Sequence, residues 1–164
     1  MELVPLSDEH DCETFCSSVD GVDNYLHNEA LKSHKASETR TSAWTVDGRV
    51  VGYFTLRLAM LEFVEGGPRF SGPKAPGFLI AKFGIDKQYQ RQRQRNGAQL
   101  LASAVIAAAD ASDLVGGRFI VVDAAMGAHE FYRKYDFTPF RDDPKRLYMK
   151  IETARSIREA ARTP

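Results

Sequence analysis

Hydrophobic and polar positions change period several times along the chain, and each change predicts an element. Glu2 to Leu6 reads as a short first strand. Val22, Leu26, Ala30 and Leu31 recur at helical spacing, which predicts a helix over about 20–35. Ser37 to Arg40 is polar and turn-like. Thr41 to Val46 and Val50 to Leu58 (VVGYFTLRL) are β-branched and aromatic, and they flank Asp47-Gly48. That pair between two such runs predicts a tight hairpin, because both central turn positions want positive φ. Glu65 to Gly77 holds Gly66, Gly67, Gly72 and Gly77 with three prolines, a composition that predicts a loop without regular structure. Gly77 to Asp86 (GFLIAKFGID) is almost continuously apolar, as in a strand buried on both faces. From Gly97 on, Leu100, Leu101, Ala104, Val105, Ala108 and Ala109 mark a helix to about Val115 that stops at Gly116-Gly117. Arg118 to Asp123 is a short buried strand, Gly127 to Tyr135 a short helix ended by Asp136-Phe137, and Leu147 to Ile151 a last strand. Glu152 to Arg162 is a polar tail with helical character.

The order is strand, helix, three strands, helix, strand, helix, strand. The piece from Leu79 to Val122 should form a right-handed parallel strand–helix–strand crossover, and the front hairpin makes the sheet mixed. The class is therefore α/β. A chain of 164 residues suits one domain with a real core, here residues 1–152 followed by a polar tail over 153–164.

Composition excludes some classes. Hydrophobic residues make up 43% and charged residues 27%, which argues against disorder. Formal net charge is zero, so no global field draws the protein to nucleic acid or membrane, and anion binding must rest on local clusters. Cys12 and Cys16 lie four apart with no companion zinc pattern, a poor disulfide spacing that suits two thiols in a reducing compartment. No metal site is expected. No run approaches the roughly 18 apolar residues of a membrane span, and Met1 to Leu6 is no signal peptide, so the cytoplasm is the expected compartment.

The stretch from Tyr89 to Leu101, YQRQRQRNGAQLL, carries the candidate chemistry. It joins a buried strand to a helix, where the first amides have no internal partner and the dipole adds positive charge. Arg91, Arg93 and Arg95 add forks suited to phosphate oxygens. A pyrophosphate cradle and a solvated charge run both remain open on these residues. A nucleic-acid patch stands third, because only Tyr89 interleaves an aromatic ring and the chain is neutral.

The segment resembles motif A of the GNAT N-acetyltransferases, in which a strand is followed by Gln/Arg-x-x-Gly-x-Gly/Ala and a helix. The match is Gln92-Arg93-Gln94-Arg95-Asn96-Gly97-Ala98, with Arg95 where the family has its middle glycine. Tyr89-Gln90 also looks like the usual start of the loop, which is then two residues longer. Ile120-Val121-Val122-Asp123-Ala124, followed by Ala128-x-x-Phe131-Tyr132-x-x-x-x-Phe137, looks like motif B, with Asp136 in place of a glycine. His10-Asp11-Cys12, Phe15-Cys16, Val22-Asp23-x-Tyr25-Leu26, Val50 to Leu56 and Pro144-x-Arg146-Leu147-Tyr148 resemble signatures of the GNAT toxins of bacterial toxin–antitoxin pairs. Together these cover most of residues 10–150.

The resemblance implies a GNAT fold, with a mixed, mostly antiparallel sheet, a central parallel crossover and helices on both faces. It implies acetyl-CoA as co-substrate, held by Phe83, Gly84 and Ile85, by Gln90, Arg91, Gln92, Arg93, Gln94, Arg95, Asn96, Gly97 and Ala98, and by Asp123, Ala128 and Phe131. A backbone amide on the strand from Lys82 to Ile85 would stabilise the carbonyl oxygen, and Tyr132 would donate a proton to the departing thiolate. A phenol near pKa ≈ 10 and a thiol near ≈ 8.5 make that transfer cheap. No histidine stands out as a base, and His129 lies on a helix where exposure is plausible. The subgroup acetylates the α-amine of aminoacyl-tRNA, which at pKa ≈ 7.7–8.0 is already partly neutral. The expected partners are acetyl-CoA, an amine substrate such as charged tRNA, a small antitoxin and a second copy of the chain. Two alternatives stay open: a GNAT acting on a small-molecule or protein amine, and a degenerate acyl-CoA-binding GNAT without turnover, motivated by Arg95 and Asp136.

Overall fold

The computed structural model describes residues 1–90 and 95–164. Arg91, Gln92, Arg93 and Gln94 lie outside the described residues. The elements in chain order are β1 (Glu2–Pro5), α1 (Asp20–Asn28), α2 (Ala30–Lys35), β2 (Arg40–Val46), β3 (Arg49–Glu62), β4 (Lys74–Ile85), α3 (Lys87–Gln90), α4 (Asn96–Val115), β5 (Phe119–Asp123), α5 (His129–Lys134), β6 (Thr138–Pro139), β7 (Arg146–Lys150) and α6 (Ile151–Arg162). The strands form one seven-stranded sheet in the order β1-β2-β3-β4-β5-β7-β6. β4 and β5 are parallel, with Gly77 opposite Phe119 and Ile80 opposite Val122. The pairs β1–β2, β2–β3, β5–β7 and β6–β7 are antiparallel. The expected mixed α/β sheet with one parallel crossover is what the chain forms.

The hairpin lies where the Asp-Gly pair places it. Asp47 has φ 51° and Gly48 φ 77°, the backbone of a two-residue turn whose twist matches the strands. Val46 pairs directly with Arg49 across it.

Contacts group the chain into two compact units, Met1–Arg57 with Ala81–Leu101, and Leu58–Ile80 with Ala102–Pro164. In the first, Leu6, Phe15, Val22, Leu26, Ala30, Ala43, Val50 and Tyr53 make one core cluster. The Tyr53 hydroxyl donates to the Val22 carbonyl at 2.6 Å, which satisfies a buried phenol and ties α1 to β3. On β4, Gly84 leaves room for Val22 and Phe15, and a Cβ there would run into Val22. The neighbouring position on β3, Gly52, faces the other way, toward Trp44 and the Leu100 side chain of α4. Since side chains alternate across a strand, α1 and the start of α4 cover opposite faces of this unit.

In the second unit, Leu61, Ala75, Phe119, Val121 and Phe140 form a cluster packed by Phe70, Leu79 and Tyr148. The C-terminal stretch is not a solvated tail. α6 buries Ile151, Ala154 and Arg158, and the Arg158 guanidinium reaches Asp110 at 2.9 Å and Asp113 at 2.6 Å on α4.

Several boundaries differ from the expectation. β3 runs on to Glu62, and β4 starts at Lys74, inside the stretch expected to be loop. Pro76 lacks an N–H, but its carbonyl accepts the Arg118 N–H at 2.7 Å, so the ladder tolerates it. The first helix breaks into two at Glu29, where φ of −124° leaves the helical region although the apolar stripe continues through Ala30. α3 and β6 have no periodicity to announce them. α4, alone among the described helices, is long and apolar enough to cross a membrane by length and composition. Its Leu100, Leu101, Ala104, Val105, Ala108 and Ala109 are buried in the protein, the pattern of a core helix.

Candidate functional site

The end of β4 is anchored by a carboxylate that the sequence reading passed over. Asp86 is 1% exposed. Its Oδ2 accepts the Cys16 N–H at 3.1 Å and the Arg49 guanidinium at 3.0 Å, and its Oδ1 accepts the Gln88 N–H at 3.0 Å, capping α3. The Lys87 N–H donates to the Cys16 carbonyl at 2.8 Å. An acid closing an apolar strand was the available signal.

Gln90 follows. Its amide donates to the Ser17 carbonyl at 2.9 Å and the Ile85 carbonyl at 2.7 Å, so this side chain braces the junction. Beyond the undescribed residues, Arg95 is exposed with φ 54°. This is the left-handed backbone that the family's middle glycine permits, held here by an arginine at a cost of about 1–2 kcal/mol. Asn96 opens α4, is 3% exposed and donates to the Tyr89 carbonyl at 2.9 Å, drawing the two ends of the loop together. Its Oδ1 is buried with no partner among the described residues. The Gln99 N–H bonds the Arg95 carbonyl at 3.1 Å, starting the helix, and among the described residues the amides of Asn96, Gly97 and Ala98 have no backbone acceptor. Gly97 and Ala98 are half-buried and small, and a helix start of this kind suits an anion. Phe83 is half-buried, and Gly84 and Ile85 are buried. The cradle residues from Phe83 to Ala98 thus belong to one unit.

Asp123, Ala128, Phe131 and Tyr132 belong to the other. The Asp123 carboxylate is clasped by Arg146, Nε at 2.8 Å and Nη2 at 3.0 Å, a two-pronged pair in the lining of a pocket of about 600 Å³ to which Met60, Leu61 and Phe140 also contribute. Ala128 precedes α5 and its carbonyl accepts the Tyr132 N–H at 3.3 Å. Tyr132 is 5% exposed, with its ring edge-on to Phe131 at 5.2 Å and Phe137 at 5.8 Å. Burial pushes its phenol well above the usual tyrosine range. It is therefore protonated throughout the physiological range and a hydrogen-bond donor. Full transfer of its proton costs more than two unperturbed groups would suggest, about 1.4 kcal/mol per pKa unit. Asp136, which ends this helix, has φ 71°, so it too takes the conformation of the glycine it replaces.

Three of the four histidines serve the backbone. His10 Nδ1 accepts the Ser7 N–H at 3.0 Å, His34 Nδ1 accepts the Thr41 N–H at 3.0 Å, and His27 Nε2 lies 3.0 Å from the Phe15 carbonyl. His129 is half-buried rather than exposed. Its Nδ1 lies 3.3 Å from Glu130, and its Nε2 is buried without a partner among the described residues. No group of three or more metal-ligating side chains occurs among the described residues. The thiols of Cys12 and Cys16 are free, and burial first and Asp11 second raise the Cys12 pKa.

No domain-family profile matches the sequence. The tRNA-acetylating toxin of Mycobacterium tuberculosis (strain ATCC 25618 / H37Rv) is 30% identical over 156 residues, covering 93% of both chains. Among solved structures, AtaT complexed with acetyl-methionyl-tRNAfMet is similar with a TM-score of 0.83 at 22% identity, covering 95% of this chain and 98% of that one. A tyrosine-to-phenylalanine mutant of the AtaT toxin, bound to the C-terminus of the antitoxin AtaR and acetyl-CoA, gives 0.80 at 22% identity, covering 99% and 98%. The structural likenesses establish a shared fold.

Proposed function

The chain belongs to the tRNA-acetylating toxins, GNAT N-acetyltransferases of toxin–antitoxin pairs, and from that premise we propose that it transfers the acetyl group of acetyl-CoA to the α-amine of aminoacyl-tRNA. The observation that carries the reading is the entry into α4: Arg95 in the left-handed region, Asn96 bonded back to Tyr89, and three first-turn amides with no backbone acceptor among the described residues. A diphosphate fits that entry, because it meets N–H donors, the positive end of a 20-residue helix and the Arg95 guanidinium together.

The chemistry divides among this chain's groups. Acetyl-CoA supplies the activated acetyl group. Backbone amides of Phe83, Gly84 and Ile85 orient the thioester and stabilise the oxyanion that forms when the amine attacks. The bond from nitrogen to the acetyl carbon forms as the bond to sulfur breaks. Tyr132 donates a hydrogen bond to the sulfur as charge builds there, and when its proton passes to the thiolate the proton lost by the amine restores the phenol. An α-amine with pKa ≈ 7.7–8.0 needs no dedicated base near neutral pH. Asp123 and Gln90 take supporting parts, since both are engaged within the protein. In this reading the partners are acetyl-CoA, charged tRNA, a small antitoxin and a second copy of the chain, and the reaction takes place in the cytoplasm.

A degenerate acyl-CoA binder loses its motive, because Arg95 and Asp136 both adopt the backbone that glycine would supply. The test is transfer of labelled acetyl from acetyl-CoA to a bulk charged-tRNA pool, run beside polyamines and peptides. Label on charged tRNA alone supports the proposal. Label on the polyamines or peptides instead moves the assignment to another acceptor class.

A further inference from the structure

Asp86 gathers stretches of chain that are remote in sequence. Its side chain accepts the Cys16 N–H from the segment before α1, the Arg49 guanidinium from the start of β3, and the Gln88 N–H of α3. Arg49 in turn donates to the Thr14 hydroxyl at 2.8 Å and to the Gln88 side-chain carbonyl at 3.3 Å. All of these residues belong to the unit that contains the entry into α4. Stability alone does not call for a charge at this place. A buried ion pair is often no better than apolar side chains of the same volume, because both groups give up their water. What the carboxylate adds is two oxygens that meet three donors at once, and so a fixed place for α3.

Hydrogen bonds carry that placement to the diphosphate site. The Tyr89 N–H bonds the Asp86 carbonyl at 2.8 Å, and the Tyr89 carbonyl accepts the Asn96 side-chain amide at 2.9 Å. Asn96 is buried and opens α4, so the seat of α3 decides where the first amides of α4 lie. Resting on the diphosphate site proposed above, we infer that Asp86 is a positioning residue for acetyl-CoA: through α3 it sets the entry of α4 against the diphosphate, without touching the ligand. Asparagine has the same shape but one oxygen, and its amide would turn hydrogens toward a donor. Asp86→Asn must therefore give up either the Gln88 N–H on Oδ1 or the Cys16 N–H and Arg49 on Oδ2.

The test compares two acetyl donors on charged tRNA, acetyl-CoA and S-acetylpantetheine, which carries the same thioester without the diphosphate and nucleotide. Asp86→Asn should lower kcat/KM for acetyl-CoA about tenfold and leave kcat/KM for S-acetylpantetheine within about twofold of the wild type. Its Kd for acetyl-CoA, measured by calorimetry and so independent of the acceptor, should rise about tenfold, with kcat at saturating acetyl-CoA within about threefold. Arg49→Met, at a partly exposed position, keeps Asp86 and both of its amide partners. It should show the same selectivity with a smaller, several-fold loss, and it guards against a folding defect in the first variant. A loss shared equally by both donors, or an unchanged Kd for acetyl-CoA, overturns the inference and leaves the diphosphate site in place. A wild-type protein that uses acetyl-CoA no better than S-acetylpantetheine overturns the diphosphate site and this inference with it.

Discussion

Arg95, Asp136 and Asp47 all occupy positive φ without being glycine, at 54°, 71° and 51°. Asp tolerates that region through local hydrogen bonding, whereas Arg has no such relief. Arg95→Gly should therefore raise stability by about 0.5–1 kcal/mol in denaturant unfolding, the released strain outweighing the added chain entropy. Because the guanidinium goes too, the same variant should bind acetyl-CoA more weakly. Tyr132 makes a second prediction at this scale. Its raised pKa keeps the phenol protonated, so kcat/KM should climb through about pH 8 as the acceptor amine loses its proton and show no alkaline fall below about pH 10. A descending limb near pH 9 would assign the proton donor elsewhere. Tyr132 was legible as a member of a motif. Its burial was not, because accessibility depends on Phe137 and the rest of its unit, which no local pattern encodes. Asp86 was missed for the same reason: its partners Cys16 and Arg49 are remote in sequence.

Elements with a strong period were readable. The 20-residue α4 begins one residue before its expected start and ends where Gly116-Gly117 stops it. The Asp-Gly hairpin also fell in place. Elements defined by partners were not. β4 begins at Lys74 because its backbone is recruited by Arg118 and β5, overriding the Gly and Pro signals before it. The two residues of β6 exist only as a rung on β7. The break at Glu29 separates α1 from α2, and α2 is tied to β2 through His34, whose Nδ1 accepts the Thr41 N–H. Burial first, and Arg40 second, lower the His34 pKa. The unfolded chain then binds more protons than the folded one as pH falls through about 6.5, so stability should decline below that pH. His34→Gln, which retains an acceptor but does not titrate, should flatten the decline in thermal unfolding measured from pH 7 to pH 5. An unchanged pH slope would remove His34 from the account.

Over the whole molecule, zero net charge sets the terms of tRNA binding. Several basic side chains are already committed: Arg133 pairs with Glu130, Arg141 with Glu65, and Arg146 with Asp123. Arg158 and Arg162 both reach Asp110. In the proposed reaction charged tRNA is bound without a global field, so KM for charged tRNA should depend only shallowly on salt, with a log–log slope of about 2–3 rather than the steep slope of a broad basic face. The end of the chain was read as a polar tail because charge dominates its composition, yet α6 places Ile151 and Ala154 in the core and Arg158 against two acids of α4. Deleting residues 151–164 should lower the melting temperature and expose apolar surface, seen as increased binding of a hydrophobic dye. An unaltered melting curve would show α6 to be dispensable.

The claim on which these scales converge is that a buried, protonated phenol on α5 assists departure of the thiol from acetyl-CoA held at the start of α4. Steady-state acetylation of charged tRNA by Tyr132→Phe, with acetyl-CoA affinity measured on the same preparation, tests it most directly. The account predicts a kcat lower by about 100-fold or more with the acetyl-CoA Kd within about threefold of the wild type. A kcat close to that of the wild type would contradict it.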